Sequence, residues 1–323
     1  MATSVQSIIE KYNKDQTRLM DILIDVQSEH GYIPQETISE IANALNISHV
    51  DVEQTMSFYH FFSDTPTGKY AIYLNDSAVA NMMGRARVKE TLEQEAGIKF
   101  GQVTPDGQIG LFDTACIGMN DQEPAALING HVFTNLTPFR VKEIVRDIKE
   151  GKPVEEMYTA AYGDGENRNE LIKSVVQNNI RKKGPILSED YTPGIVIWKK
   201  LPEMTPEQVI EEVKKSNIRG RGGAGFPTGL KWEFCRKAKG EKKYIFCNAD
   251  EGEPGTFKDR VILTERPKLL FEGMVIAGYA VGATEGIVYV RHEYKYLKNY
   301  LENLLQGARD RNLLGKDIGG IKG

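Results

Sequence analysis

The chain is poor in cysteine. Its 323 residues hold three, Cys116, Cys235 and Cys247, far apart and without a Cys-x-x-Cys pair. That excludes a disulfide framework and points to reduced thiols in a cytoplasmic protein. A basic excess is missing too. Forty-one Lys and Arg against 45 Asp and Glu leave a net charge of −4, so no positive field gathers nucleic acid. No apolar run reaches membrane-spanning length, and the best stretch, Phe271 to Val290, is interrupted by Glu272 and Glu285. The N-terminus has no basic segment followed by an apolar core, so no secretory signal is visible. What is left, 40% hydrophobic and 27% charged residues, describes a soluble globular protein long enough for two or three domains.

Local pattern divides the chain into four stretches. Residues 1–64 read as a helical bundle. Ile8, Ile9, Tyr12, Leu19, Ile22, Leu23 and Val26 recur near helical spacing, a second helix spans about 35–45, and Ser48 with Asp51 forms a capping box for a third that runs to Phe62. Two short helices joined near Asn46 could pass for a DNA-reading pair. Residues 34–62, however, hold Glu36, Glu40, Asp51 and Glu53 and no Lys or Arg, which argues against a polyanion partner. Residues 65–150 read as a small α/β unit. Its strands are Tyr70 to Leu74 and Ile109 to Phe112, its helices Val88 to Ala96 and Val141 to Glu150, and Asn129-Gly130 turns a hairpin. Residues 151–200 are a linker with a helix at about 167–182. Residues 201–323 alternate helix and strand: a helix from Thr205 with Pro206 at its first position, a short buried strand Lys243 to Cys247, a helix Pro267 to Val281, a strand Gly286 to Arg291 and a helix Tyr296 to Arg309. The chain ends Asp317-Ile-Gly-Gly-Ile-Lys-Gly323 straight after a helical pattern, as if a domain were cut partway.

Two segments carry chemistry. Gly220 to Gly229 reads Gly-Arg-Gly-Gly-Ala-Gly-Phe-Pro-Thr-Gly, five glycines in ten residues, followed by Lys231 and Trp232. Glycine at that density serves a sharp bend or a close backbone approach, and bare N–H groups suit phosphate oxygens. The Phe-Pro pair argues against a slack linker. Gly220-x-Gly222-x-x-Gly225 is formally the dinucleotide fingerprint, but a helix precedes it where a strand should. A Walker loop fails as well, because Phe226 stands where lysine is needed. A phosphate or flavin cradle of another design survives, with Lys231 neutralising charge.

The second segment, Asn248-Ala-Asp250-Glu251-Gly-Glu253-Pro-Gly-Thr-Phe-Lys-Asp-Arg260, leaves a strand at the place where α/β ligand sites lie. Asp250, Glu251 and Glu253 repel one another unless hydroxyls, cations or N–H groups face them. Ribityl or ribose hydroxyls would suit. A divalent metal and a plain charged turn remain the competing readings.

These two segments resemble the hallmarks of the flavoprotein subunit family of respiratory complex I, which also serves NAD-reducing hydrogenases and NAD-dependent formate dehydrogenases. The resemblance implies FMN with NADH stacked upon it, and hydride transfer between nicotinamide and flavin without a side-chain acid or base. Carried onto this chain, Gly220, Arg221, Gly222 and Lys231 would contact the FMN phosphate or ribityl. Asn248, Asp250 and Glu251 would meet the rest of its polar edge. Phe226 and Phe234 would stack on adenine, and Glu253 would meet NADH.

The first 150 residues resemble the partner family, a helical bundle with a thioredoxin-like [2Fe–2S] domain, through Tyr32-Ile-Pro34, Ser57-Phe-Tyr59, Thr104-Pro-Asp-Gly107 and Cys116-Ile-Gly118. That family ligates its cluster with four cysteines. Here Cys116 alone remains; Asn75, a non-cysteine near Val79–Ala80, and Asn120 hold the other positions, so the [2Fe–2S] cluster is expected to be absent. Both modules on one chain resemble the FMN-bearing diaphorase subunits of soluble NAD-reducing [NiFe]-hydrogenases. The fold class expected is α/β: a helical bundle plus a thioredoxin-like domain, then an incomplete Rossmann-like FMN-binding domain. The resemblance further implies a hetero-oligomer with other diaphorase and hydrogenase subunits. It also implies a chain continuing past Gly323, where the rest of the flavin pocket and the ligands of a [4Fe–4S] cluster would lie.

Overall fold

The computed structural model describes residues 4–157, 176, 184, 199–316 and 318. The chain divides into two compact units, Met1–Thr159 and Ala160–Gly323. The helix expected at about 167–182 lies outside the described residues.

The first unit begins with four helices, α1 (Val5–Lys11), α2 (Leu19–His30), α3 (Gln35–Leu45) and α4 (His49–Phe58). Ile9, Ile22, Leu23, Val26, Ile33, Ile41 and Val52 fill one core between them. The apolar spacing hides a break between α1 and α2. Asn13 and Lys14 adopt positive φ and Asp15 caps a short 3-10 turn, so the chain reverses although the apolar rhythm continues. The Ser48 capping box is complete in both directions. Helix α4 ends at Phe58 rather than Phe62, because the next residues turn to pack their rings on the sheet.

That sheet has the order β2-β3-β1-β4-β5, with β1 (Tyr70–Asn75), β2 (Gln102–Val103), β3 (Ile109–Thr114), β4 (Ala126–Ile128) and β5 (His131–Phe133). Strands β1 and β3 run parallel, Tyr70 opposite Ile109, and the other pairs are antiparallel. Alternation decides the faces. Tyr70, Ile72 and Leu74 share a core with Val88 and Leu92 of α6 (Arg85–Ala96) and with Val141, Ile144 and Ile148 of α7 (Pro138–Lys149). On the other face Tyr73 stacks on Phe112, ring centroids 5.2 Å apart, and His60 and Phe61 meet Tyr73 edge-on at 5.7 Å. The hairpin turn has Asn129 at φ +49° and Gly130 at φ +79°. The Asn129 side chain accepts from the Ala71 amide and donates to the Lys69 carbonyl, each at 2.9 Å, which pins the hairpin to β1. A short helix, α5 (Ala78–Met82), follows β1 and escaped the sequence pattern.

The second unit starts with α8 (Pro206–Lys215), capped by Thr205 and Gln208. Helix α9 (Thr228–Lys237) follows the glycine-rich loop. A parallel pair, β6 (Tyr244–Ala249) and β7 (Glu285–Val290), is joined through α10 (Lys258–Glu265) and α11 (Pro267–Val281). A 3-10 turn, His292–Leu297, leads into α12 (Lys298–Arg309), so the last helix starts two residues later than its apolar pattern. The short apolar run predicts a buried strand, but β6 alternates. Ile245, Cys247 and Ala249 lie toward the protein, whereas Tyr244 and Phe246, with Ile287 and Tyr289 of β7, face outward. Periodicity within a short apolar run does not report how many faces are covered.

Candidate functional site

The glycine-rich loop is a narrow hairpin. The Gly220 amide donates to the Phe226 carbonyl at 2.8 Å, the Thr228 amide to the Ile218 carbonyl at 3.0 Å, and Arg219 Nη1 to the Gly225 carbonyl at 3.1 Å. The glycines have separate reasons. Gly223 and Gly225 take φ of +105° and +63°, which other residues rarely adopt. Gly229, inside α9, would drive a Cβ to 2.7 Å from the Lys214 amide nitrogen of α8. Gly222 has neither reason. Its φ is not left-handed, and a Cβ there would meet nothing within 4 Å. Packing among the described residues does not require glycine at 222, and a ligand approaching the bare backbone would.

Phe226 and Phe234 stand exposed with ring centroids 6.4 Å apart and planes tilted by 48°. Arg221 and Lys231 are exposed cations with no acidic partner among the described residues. Lys231 sits in the first turn of α9, whose N-cap, Pro227, offers no side-chain acceptor.

The acidic segment leaves the C-terminal end of β6. Asn248 Oδ1 accepts from the Asp250 amide at 3.1 Å, which folds the bend back on itself. Asn248 and Glu253 are exposed and Asp250 is half-buried. The Asp250 carboxylate leans over Gly252, where a Cβ would lie 2.8 Å from Oδ2. The Glu253 carbonyl accepts from the amide and hydroxyl of Thr256, closing the next turn. Glu251 differs from its neighbours. It is 6% exposed, with φ +48°. Its carboxylate accepts from the Asp259 amide at 2.6 Å, the Arg260 amide at 3.1 Å and the Tyr294 hydroxyl at 2.6 Å. One of the three crowded carboxylates is therefore taken up by the protein itself. Tyr294 and Arg291, which the sequence motifs do not include, enter the site in this way. Their place just after β7, at the strand end where ligands collect, was the available signal. Burial, reinforced by Glu251, pushes the Tyr294 hydroxyl well above its ordinary range, so it remains a donor. Burial and the Glu251 charge also raise the Asp259 carboxyl.

Both loops hang on one scaffold. Helix α9 packs on α8 and α11, and α11 packs on β6. A separate apolar groove of about 1110 Å³ runs along β7 between α11 and α12, and neither loop lines it.

In the first unit, the residues expected to stand where the ferredoxin family has cluster cysteines form a hydrogen-bonded chain. Asn120 Nδ2 donates to Cys116 Sγ at 2.8 Å and Ser77 Oγ donates to Asn120 Oδ1 at 2.8 Å. Asn75 Nδ2 reaches Ser77 and the Glu123 carboxyl, whose other oxygen accepts from the Ala125 amide at 2.8 Å. Ala80, fully buried, donates its amide to Ser77 Oγ. Burial, with Asp121 adding to it, pushes the Glu123 carboxyl up to about 7. One thiol, two carboxamides and a methyl group do not make the donor set of an iron–sulfur cluster.

Residues 5–149 match the family described as thioredoxin-like [2Fe-2S] ferredoxin, and residues 213–319 match the Nuo51 FMN-binding domain. The chain is 50% identical over all 323 residues to the alpha subunit of the NAD-reducing hydrogenase HoxS of Cupriavidus necator, covering 54% of that protein. One subunit of the NADH-quinone oxidoreductase of Aquifex aeolicus is 49% identical over 125 residues, 39% of this chain and 29% of that one. The solved NAD+-reducing [NiFe]-hydrogenase in its H2-reduced state superposes with a TM-score of 0.76 at 36% identity, over 92% of this chain and 48% of the other. The chain thus spans about half the length of the full-length relatives it matches. On this one chain a segment that matches the thioredoxin-like [2Fe-2S] ferredoxin family is followed by one that matches the Nuo51 FMN-binding domain.

Proposed function

We propose that the chain is the electron-input part of an NADH:acceptor oxidoreductase, a diaphorase module of an NAD-reducing hydrogenase. Gly222 carries the reading: a bare backbone position that the described packing leaves unexplained, next in sequence to the exposed Arg221 and in the segment that also carries the exposed Lys231, Phe226 and Phe234. Residues Gly220 to Gly222 would hold the FMN phosphate by their amides, with Arg221 and Lys231 supplying charge. Asn248 and Asp250 would bind the hydroxyl-bearing edge of the flavin. Phe226 and Phe234 would flank the adenine of NADH, and Glu253, exposed at the same strand end, would accept from its hydroxyls. The chemistry that FMN would supply there is hydride exchange with NADH and single-electron release. The chain's part is position and charge, and no side chain here need move a proton.

Likeness over the whole chain to a hydrogenase alpha subunit favours the hydrogenase setting, a cytoplasmic hetero-oligomer with further diaphorase and hydrogenase subunits. Likeness of the second unit alone to a subunit of NADH-quinone oxidoreductases supports a complex I-like or formate dehydrogenase setting as the alternative. A [4Fe–4S] cluster would be ligated beyond these residues. The first unit, lacking cluster ligands, would serve as a docking body.

The test is FMN content and NADH oxidation with an artificial acceptor, in the protein isolated with its natural partners. Lys231→Ala should lower flavin retention about tenfold or more, the scale of one charge-assisted phosphate contact. Unchanged flavin content would remove the phosphate role, and colourless wild-type protein would remove the proposal.

A further inference from the structure

We infer that Glu251 is a positioning residue whose carboxylate, held by the first amides of α10 and by the Tyr294 hydroxyl, fixes the bend that presents Asn248, Asp250 and Glu253. The inference rests on the flavin-site reading above and extends that site to residues that do not touch the cofactor.

The bend cannot hold itself. Glu251 occupies the left-handed region, where a side chain with a Cβ is disfavoured. That twist turns its carboxylate inward while Asn248 and Glu253 stay exposed on either side. The inward carboxylate then does what the N-cap of α10 does not. Phe257, at the N-cap, provides no side-chain acceptor, and Glu251 takes the Asp259 and Arg260 amides instead. A carboxylate at a helix N-terminus is favoured by both the free amides and the helix dipole.

The other end of the tie is the turn after β7. Tyr294 is fully buried and its hydroxyl donates to Glu251 Oε2, 43 residues away in sequence. Arg291 Nη1 donates to the Glu251 carbonyl at 3.0 Å, and Arg291 is itself held by Glu293 through Nε at 3.0 Å. Side chain and backbone of one residue are thus fastened to the neighbouring strand end. The C-terminal ends of β6 and β7 move as one piece, and the polar groups of the acidic loop inherit that rigidity. A carboxylate already accepting three hydrogen bonds has little left to offer a ligand.

The experiment uses the full protein with its partners and three variants: Tyr294→Phe, Glu251→Gln and Lys231→Ala. FMN affinity is read by quenching of flavin fluorescence. Hydrogen exchange at the Asp259 and Arg260 amides is read in flavin-free protein. Tyr294→Phe is expected to weaken FMN binding about tenfold and to speed exchange at both amides, although Tyr294 lies behind the loop. Glu251→Gln should do the same, and the double variant should be no worse than the weaker single one. Lys231→Ala should weaken FMN binding with exchange unchanged. If Tyr294→Phe leaves both readouts at wild-type values while Glu251→Gln abolishes FMN binding, Glu251 is a direct ligand and the inference is wrong. If wild-type protein binds no FMN, the flavin reading fails, and the exchange comparison still decides whether Tyr294 holds the bend through Glu251.

Discussion

Glu123 is a buried carboxyl whose proton ties the stability of the first unit to pH. It is 4% exposed and lies against Asn75, whose Oδ1 has no hydrogen-bond partner among the described residues. Burial raises its carboxyl from the ordinary 4.5 to about 7. The sign follows from linkage. The folded protein holds the proton more tightly than the unfolded chain, so the stabilisation is complete below about pH 4.5 and is lost as pH rises through 7. A shift of this size corresponds to on the order of 3 kcal/mol across that window. Thermal unfolding followed from pH 5 to 8 should therefore show the first unit weakening as pH rises, and Glu123→Gln should flatten that slope. A wild-type slope identical to that of the Gln variant would mean that Glu123 titrates as if exposed. Little of this was legible in the sequence. Cys116, Asn75 and Asn120 could be aligned one by one, but the chain linking them through Ser77 to Glu123 is a matter of three-dimensional contact.

At the level of the element, the glycine-rich segment looked like a single loop of uniform purpose. Its two ends do different work. Gly229 allows α8 and α9 to approach, and a methyl group there meets the Lys214 backbone, which has no rotamer to yield. Gly229→Ala should destabilise the second unit by roughly 1–3 kcal/mol, the cost of overpacking a close contact. Gly222→Ala meets open space and should change stability by less than about 0.5 kcal/mol, while weakening FMN binding. Denaturant melts and flavin titrations on the two variants separate the roles. Equal destabilisation by both would show that Gly222 is structural after all. The capping box at Ser48, the helix start at Thr205 with Pro206 and the Asn129-Gly130 turn were readable because their physics is local. The break at Asn13–Lys14 was not, since the apolar rhythm runs through it. The outward face of β6, with Phe246 65% exposed, was not readable either, since coverage of a face depends on what packs there.

The whole molecule joins two modules that have fared differently. The second keeps a bare-backbone loop, exposed cations and a rigid acidic bend. The first matches a thioredoxin-like [2Fe-2S] ferredoxin, and on our reading it has lost three of the four cysteines such a cluster takes. The end of β1, the start of α5 and the loop after β3 bring Asn75, Ala80 and Asn120 onto Ser77, with Cys116 held by Asn120. If the frame survives and only the ligands have gone, iron binding should be recoverable by side-chain chemistry alone. The 323-residue chain prepared without oxygen should carry no [2Fe–2S] iron. The variant Asn75→Cys, Ala80→Cys, Asn120→Cys, with Cys116 as the fourth thiolate, should take up about two irons per chain on reconstitution and show the absorbance of such a cluster. Two irons in the unmodified chain would refute the loss of the site. Failure of the variant, with its helix content intact, would mean that the Ser77 and Glu123 network leaves no space for a cluster.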